Sequence, residues 1–396
     1  MLSTKAKYWI VNVCRILLAV TFIFSGFVKG VDPMGSAYKI ADYLSAFGVL
    51  DVFPKSFSII FSFALASLEF TLGVLLFWGI MRGVTTFLSA LLMVMLTPLT
   101  LYIALSNPVH HCGCFGDALV LSNWQTFSKN LLLLPMSLLC YMWHRQIRYF
   151  MSKHVEWIVA RYVIVFSLLL WGYCYIHLPI LDFRPYSIGT SMKTAMGLNE
   201  DNQVKMPTIL DFYVQDYKTG EDITESLLDY DGYSFLLVAP DLNSASEDRF
   251  DLLNELYDYS VAHNYPFICL TASDSTAISL WQDRTGADYT FGIADHLALK
   301  TMVRSNPGII LLRGDTIYNK WAFRDIPDEY QLKGQSLDKN GVGRLEKISR
   351  MTVFWQIIIL FIAPLVLVLL IDRLILIWKM KQTKLKENGQ ESGDIY

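Results

Sequence analysis

Six apolar runs constrain this chain more than any other feature, because a hydrocarbon slab roughly 30 Å thick is crossed by about 20 helical residues. They lie at about Tyr8–Val28, Phe57–Ile80, Thr85–Ala104, Phe127–Trp143, Ile158–Ile176 and Val353–Trp378. Residues 181–350, between the last two, read as water-soluble. Composition agrees: 17% of residues are charged, against about 25% in soluble proteins. Aromatic residues reach 14%, which suits rings anchored at membrane interfaces. These values exclude a disordered chain, a nucleic-acid binder and an ordinary cytosolic enzyme. The lipid bilayer is the first expected partner.

The first run follows Lys5 and Lys7, is too long for a signal peptide, and has no small-residue cleavage site after it. It is expected to remain as the first span. Basic residues then set the orientation. Lys5 and Lys7, Arg82, the group Arg145, Arg148 and Lys153, and the group Lys379, Lys381, Lys384 and Lys386 all fall on one side of a six-span arrangement. That side is expected to be the cytoplasm. The expected location is the inner membrane of a bacterium, with the soluble domain in the periplasm, where disulfides form.

Of six cysteines, Cys14, Cys140 and Cys174 fall within spans and Cys269 within a strand-like run, positions where a thiol usually serves as a small apolar filler. Cys112 and Cys114 differ. They stand in His110-His111-Cys112-Gly113-Cys114-Phe115-Gly116, on the oxidising side just past the third span. A Cys-Gly-Cys disulfide closes a very small ring far from relaxed geometry, which favours reduction. Protonated imidazoles beside it would stabilise a thiolate. Three readings stay open: a redox-active dithiol with His110 and His111 assisting, a structural turn-lock, and a metal site. Four ligands within five residues do not easily close one tetrahedron, so no metal is assigned.

Residues 8–150 resemble the DoxX/MauE group of four-helix membrane proteins. Arg15, Phe22, the run Ser25-Gly26-Phe27-Val28-Lys29-Gly30, then Asp32-Pro33 and the Ala37–Leu44 segment are similar to the DoxX pattern, as are Glu69 and Gly73. The loop Cys112-Gly113-Cys114-Phe115-Gly116-Asp117, with Trp124 and then Lys129-Asn130, looks like the MauE signature. The resemblance covers a little over a third of the chain. It implies a four-helix bundle similar to the quinone-linked thiol oxidases DsbB and vitamin K epoxide reductase. The chain departs from the DsbB type in having Cys-x-Cys rather than Cys-x-x-Cys, and in lacking a second such pair. The resemblance makes a membrane quinone the expected cofactor, with Lys29, Trp124 and Lys129 as its candidate contacts. Lys29 and Lys129 either snorkel to the headgroups or polarise a quinone carbonyl or stabilise a thiolate.

A charge within the bilayer costs about 2.5–3.5 kcal/mol on insertion scales. Arg15 and Glu69 lie at comparable depths on adjacent antiparallel spans, so an intramembrane ion pair between them is expected, with a proton or ligand site as the alternative.

Within 206–330, strand signals at Ile209–Tyr213, Ser234–Ala239, Pro266–Leu270, Ile309–Leu312 and Ile317–Phe323 alternate with helix signals at Asp248–His263, Ala277–Trp281 and His296–Val303. This order implies an α/β sandwich with a mixed sheet. With Asn306-Pro307 entering the hairpin, it resembles a thioredoxin-like domain of the TlpA type. That resemblance implies a cis proline and a substrate groove at Asn306 and Pro307. It also places the family's cysteine pair at Asp241–Glu247, where this chain has none.

The expected organisation is a four-helix membrane bundle (1–150), a transmembrane helix (151–180), a linker (181–205), a thioredoxin-like extracytoplasmic domain (206–330), a second linker (331–350), a last transmembrane helix (351–379) and a cytoplasmic tail (380–396). The expected function is thiol–disulfide redox exchange between a periplasmic protein or peptide client and a quinone through Cys112 and Cys114, assisting maturation of exported proteins. The competing expectation is a non-catalytic membrane scaffold or assembly factor whose domain binds a client peptide.

Overall fold

The computed structural model describes residues 3–54, 56–109, 113–198, 208–209, 212–332, 334–345 and 350–391. The chain divides into two compact units, residues 1–172 with 350–396, and residues 173–349.

The first unit begins with α1 (Thr4–Val31), whose N-terminus Ser3 caps by accepting from the Ala6 amide. Asp32 ends it and caps α2 (Pro33–Ala46), where the proline supplies a preset φ in the first turn. Then come α3 (Phe57–Trp78), α4 (Arg82–Ser106), α5 (Asn123–Met142) and α6 (Lys153–Ile176). A capping box formed by Ser122 and Gln125 starts α5.

In the second unit, α7 (Met192–Met196) precedes β1 (Val214–Asp216), α8 (Thr224–Asp229), β2 (Tyr233–Ala239), α9 (Phe250–Ala262), β3 (Phe267–Thr271) and α10 (Ser275–Thr285). After these come β4 (Thr290–Ala294), α11 (His296–Met302), β5 (Gly308–Arg313), β6 (Thr316–Ala322) and α12 (Glu329–Leu332). The sheet order is β1-β4-β3-β2-β5-β6. β2 runs parallel to β3 and β3 to β4, while the other pairings are antiparallel. All seven residues of β2 are buried, as a strand covered on both faces requires. Its alternation splits two cores. Phe235 and Leu237 pack with Leu253, Leu256 and Trp281 on one face, and Leu236 and Val238 with Met192, Leu299 and Met302 on the other. The α/β mixed-sheet expectation thus matches the architecture, with two differences of detail. The first strand is Val214–Asp216 rather than Ile209–Tyr213, and β4 carries too short a run, broken by Gly292, to announce itself.

Both expected linkers correct themselves. Tyr186, Met192 and Ala195 belong to the core beside the sheet. Arg184 grips Asp182 at 2.7 and 2.9 Å, and the buried Lys320 ammonium donates to the same carboxylate at 2.9 Å. A polar stretch therefore reads as a linker in sequence while its charges neutralise one another indoors. Likewise Leu332 and Leu337 enter the core, and Tyr259 donates to the Gln335 carbonyl at 2.5 Å.

The chain closes with α13 (Arg350–Glu391), a helix of 42 residues, so the expected tail continues it as far as Glu391. Asp372 of α13 accepts from the Ser152 amide and hydroxyl, tying it to the start of α6. Among the described residues, five helices are long and apolar enough to cross a membrane: Thr4–Val31, Phe57–Trp78, Arg82–Ser106, Glu156–Ile176 and Arg350–Gln382. The expected fourth span corresponds to α5, which is more polar. It buries Asn123 and Asn130 against α4, donating to Asn107 Oδ1 at 2.7 Å and Thr100 Oγ1 at 3.2 Å.

Candidate functional site

The site grows from the packing of α1 on α3. A side chain at Gly26 would meet the Phe70 amide at 2.4 Å, and one at Gly73 would meet the Ile23 amide at 2.6 Å. Only glycine permits this approach, the small-residue device of membrane helices. It fixes an antiparallel register in which Ile23 faces Gly73 and Gly26 faces Phe70.

That register overturns the expected Arg15–Glu69 pair. It sets Arg15 beside Gly79, about ten residues or ~15 Å along α3 from Glu69 at ~1.5 Å per residue. Glu69 instead accepts two hydrogen bonds from Lys29, at 2.8 and 2.9 Å, with side chains 3% and 11% exposed. Lys29 therefore does not snorkel. Arg15 donates to the Arg148 carbonyl at 2.6 Å. Each charge has found an internal partner, which is what the low-dielectric surroundings demand.

One turn before Lys29 on α1, Ser25 donates its hydroxyl to the Cys114 carbonyl at 2.8 Å. Gly113 and Gly116 adopt φ of +68° and +53°, and the Gly116 amide closes the turn on the Gly113 carbonyl at 3.0 Å. The turn lies along α1 itself. Phe115 packs on Phe24 with ring centroids 5.2 Å apart, and a side chain at Gly116 would meet Val28 at 3.0 Å. These contacts fall three to seven residues short of Val31, about 4–10 Å inside the end of the helix. The stem of Lys39, from α2, covers Gly113, 3.2 Å from where a Cβ would sit. On the far side the Lys129 ammonium stands 4.3 Å from the centroid of the Phe115 ring. Cys114 is half-buried, between a residue held by Lys129 and one covered by Lys39. Trp124, five residues before Lys129 on α5, is 55% exposed.

His110, His111 and Cys112 lie outside the described residues. The structure thus brings Cys114, Lys129 and Trp124 to one end of the bundle. It commits Lys29 to Glu69. Sequence reasoning gave no role to Ser25, Phe115 or Lys39. The recoverable signal was the spacing of Ser25 and Lys29, one helical turn apart beside Gly26.

The second unit holds Asn306 and Pro307. The peptide bond between them is cis. Asn306 donates to the Asp241 carbonyl at 2.8 Å and to Ser244 Oγ at 3.2 Å, and its own carbonyl accepts from the Ser246 amide at 2.9 Å. Asn306 is thereby fastened to the turn after β2, the place where the resemblance puts a cysteine pair. Nearby, His296 is shifted below its ordinary value, first by partial burial and then by Lys300. Cys269 is wholly buried in β3, and burial pushes its thiol far above the ordinary range, so no reactive thiolate arises there.

Residues 7–143 match the family model described as methylamine utilisation protein MauE. No curated protein matches the chain in sequence. Among solved structures there is a match to one titled "Solution structure of a putative protein disulfide isomerase from Bacteroides thetaiotaomicron", with 16% identity, 31% of this chain and 78% of that chain covered, and a TM-score of 0.22.

Proposed function

We propose that this protein is a multi-pass membrane thiol–disulfide redox protein acting through Cys112 and Cys114 in the maturation of exported proteins. The observation that carries the reading is the seat of the Cys114 turn. Its backbone is held by Ser25, and its next residue lies beneath the Lys129 ammonium. A cation beside such a turn favours the thiolate, the form that attacks disulfides and leaves from them.

In the oxidising direction, a client thiolate attacks the Cys112–Cys114 disulfide and forms a mixed disulfide. The second client thiolate then displaces the remaining chain sulfur. The client gains a disulfide, and Cys112 and Cys114 become a dithiol. Restoring the pair removes two electrons and two protons, which a membrane quinone supplies the capacity to accept. Lys129 and Trp124 suit that group, the one offering a cation and the other an open ring face at the same end of α5. Lys29 does not suit it, because its ammonium is engaged by Glu69. The work of the chain's own residues is to hold the turn, keep a cation at its edge and exclude water from the α1 side.

We read the second unit as a thioredoxin-like domain of the TlpA type, facing the same periplasmic compartment as the Cys turn. Its β2-β3-β4 parallel run, the following hairpin and Asn306-Pro307 support that reading. With no cysteine after β2, it would hold a client rather than oxidise one, raising the client's effective concentration at the turn. In a single-cysteine variant, Cys112→Ser or Cys114→Ser, a mixed disulfide formed when the remaining thiolate attacks a client disulfide has no second chain thiol to displace the client, so it persists. One of them is expected to accumulate a covalent, reductant-sensitive adduct with an exported protein in intact cells. If neither does, and the double serine variant fully replaces the wild type in a deletion strain, the scaffold reading stands instead.

A further inference from the structure

We propose that the first unit carries a binding site for the phosphodiester of an anionic phospholipid headgroup, at the end of the bundle opposite the Cys114 turn. The site is a pocket of about 360 Å³ lined by the first two turns of α1, the start of α4 and the connection from α5 to α6. That volume falls within the roughly 300–1,000 Å³ of pockets that hold small ligands. Arg82, Arg145 and Arg148 line it, with no carboxylate among its described lining residues. None of the three forms an ion pair with a described carboxylate. Residues 3–15, 79–86 and 142–153, which surround the pocket, hold seven lysines and arginines and no Asp or Glu. Asp372 of α13 reaches this end, but its oxygens are engaged by the Ser152 amide and hydroxyl.

The arginines do more than flank the spans, because the fold holds them in place. Arg82 donates to the Ile147 carbonyl at 2.9 Å and to the Arg145 carbonyl at 3.3 Å, and its guanidinium stands 5.0 Å from the centroid of the Tyr149 ring. The Arg148 guanidinium stands 5.2 Å from the centroid of the Phe150 ring. Asn12 of α1 fastens the turn between them, donating to the Gln146 carbonyl at 3.2 Å and accepting from the Arg148 amide at 3.1 Å. A site fixed in this way pays little ordering entropy when it binds. Guanidiniums gathered without a counter-charge repel one another, and a phosphate accepts the forked N–H pairs that each presents.

Position selects a lipid over a soluble anion. Thr4 opens α1, Arg82 opens α4, and the remaining lining residues past Tyr8 follow the end of α5 at Met142. The ends of spanning helices lie at the level of the phospholipid headgroups, where basic pockets between helices take anionic lipids. Trp9 and Tyr149, 64% and 60% exposed, stand at the same end, as rings anchored at the interface do. Hydrogen bonding then narrows the headgroup. Gln146 Oε1 is buried at the pocket and accepts no hydrogen bond, so a donor is wanted there. The hydroxyls of a glycerol headgroup supply one while the phosphate keeps its charge. An ethanolamine headgroup also offers a donor, but its ammonium meets the three arginines with like charge. The proposal stands apart from the thiol chemistry, so either can fail alone.

The full-length chain, stripped of lipid in mild detergent, is titrated with phosphatidylglycerol, phosphatidylethanolamine and phosphatidylcholine and read by native mass spectrometry. Phosphatidylglycerol is expected to bind about tenfold more tightly than either zwitterionic lipid, a difference of ~1.4 kcal/mol. Arg145→Gln changes an exposed side chain and should weaken phosphatidylglycerol about fivefold or more. The double variant Lys379→Gln with Lys381→Gln, outside the pocket, should leave it unchanged. Gln146→Leu should erase the preference for phosphatidylglycerol over phosphatidylmethanol, which keeps the phosphodiester and lacks the hydroxyls. As a check that needs no variant, millimolar inorganic phosphate or glycerol phosphate should not displace the lipid from the wild type. Equal binding of the three lipids, an unchanged affinity in Arg145→Gln, or an equal loss in the lysine variant overturns the site. Displacement by inorganic phosphate overturns the lipid and assigns the pocket to a soluble anion, and a preference that survives Gln146→Leu overturns the glycerol headgroup.

Discussion

The Cys114 turn of the helical unit and the turn after β2 in the sheet unit are built alike. In each, a side chain from elsewhere in its unit fixes a backbone carbonyl. Ser25 donates to Cys114 and Asn306 to Asp241, both at 2.8 Å. They differ in what they present. The first turn offers a cysteine with lysines on both sides, whereas the second offers Asp241, Asn243 and Ser244. The cysteine the sheet unit does possess, Cys269, is sealed in its core. The contrast teaches that architecture and reactive group have been separated: the sheet keeps a held turn without a thiol, and the thiol sits on the membrane helices.

The comparison breaks most sharply at Glu69. Glu69→Ala leaves the Lys29 ammonium buried without its carboxylate, and removal of one member of a buried pair costs about 3–5 kcal/mol. The helical unit should lose that stability in detergent, seen as a lower midpoint of thermal unfolding, while the sheet unit keeps its own. Replacing both partners, Lys29→Met with Glu69→Leu, should recover much of the loss.

The sheet unit has a counterpart in Asp182. Burial alone would raise its carboxyl, but Lys320 and Arg184 overcome that and hold it well below the ordinary range. The unfolded chain therefore takes up this proton first as pH falls. The stability it contributes is complete above about pH 4 and declines below it. Burial pushes Lys320 down to about 8, partly offset by Asp182. From about pH 8 to ~10.4 the unfolded chain holds a proton that the folded one has released, so stability rises with pH across that window. Asp182→Asn should destabilise the sheet unit by about 3–5 kcal/mol and flatten its acid limb in pH-dependent denaturation. The redox state of Cys112 and Cys114 should not respond.

The smallest effect sharpens the comparison at the turn itself. Lys129→Met removes a cation–π contact of about 0.5–2 kcal/mol. Alkylation of Cys114 in the reduced protein should slow severalfold at neutral pH, with no change in the unfolding of the sheet unit.

Much of the fold was legible in sequence because apolar run length, in the spans and in β2 alike, is a local signal. The parts that escaped depend on register and partnership. Charge and depth suggested Arg15 with Glu69, yet Gly26 and Gly73 decide the register through close backbone approach, and they deliver Lys29. The stretch from Asp182 to Tyr186 looked like a linker because its charges are visible in sequence while Lys320, their distant partner, is not. Cys114 could be singled out from its neighbours, but its seat on Ser25 and the cover from Lys39 required the packing of α1, α2 and the turn.

The most direct test labels free thiols in intact growing cells with an alkylating mass tag and follows Cys112 and Cys114 by their mobility shift, before and after a pulse of reductant. The separation of thiol from sheet predicts that the pair passes between dithiol and disulfide and returns to its starting state after the pulse, and that Cys269 stays unlabelled until the protein is denatured. A pair that never changes state, while the protein remains able to restore a deletion strain, would contradict it.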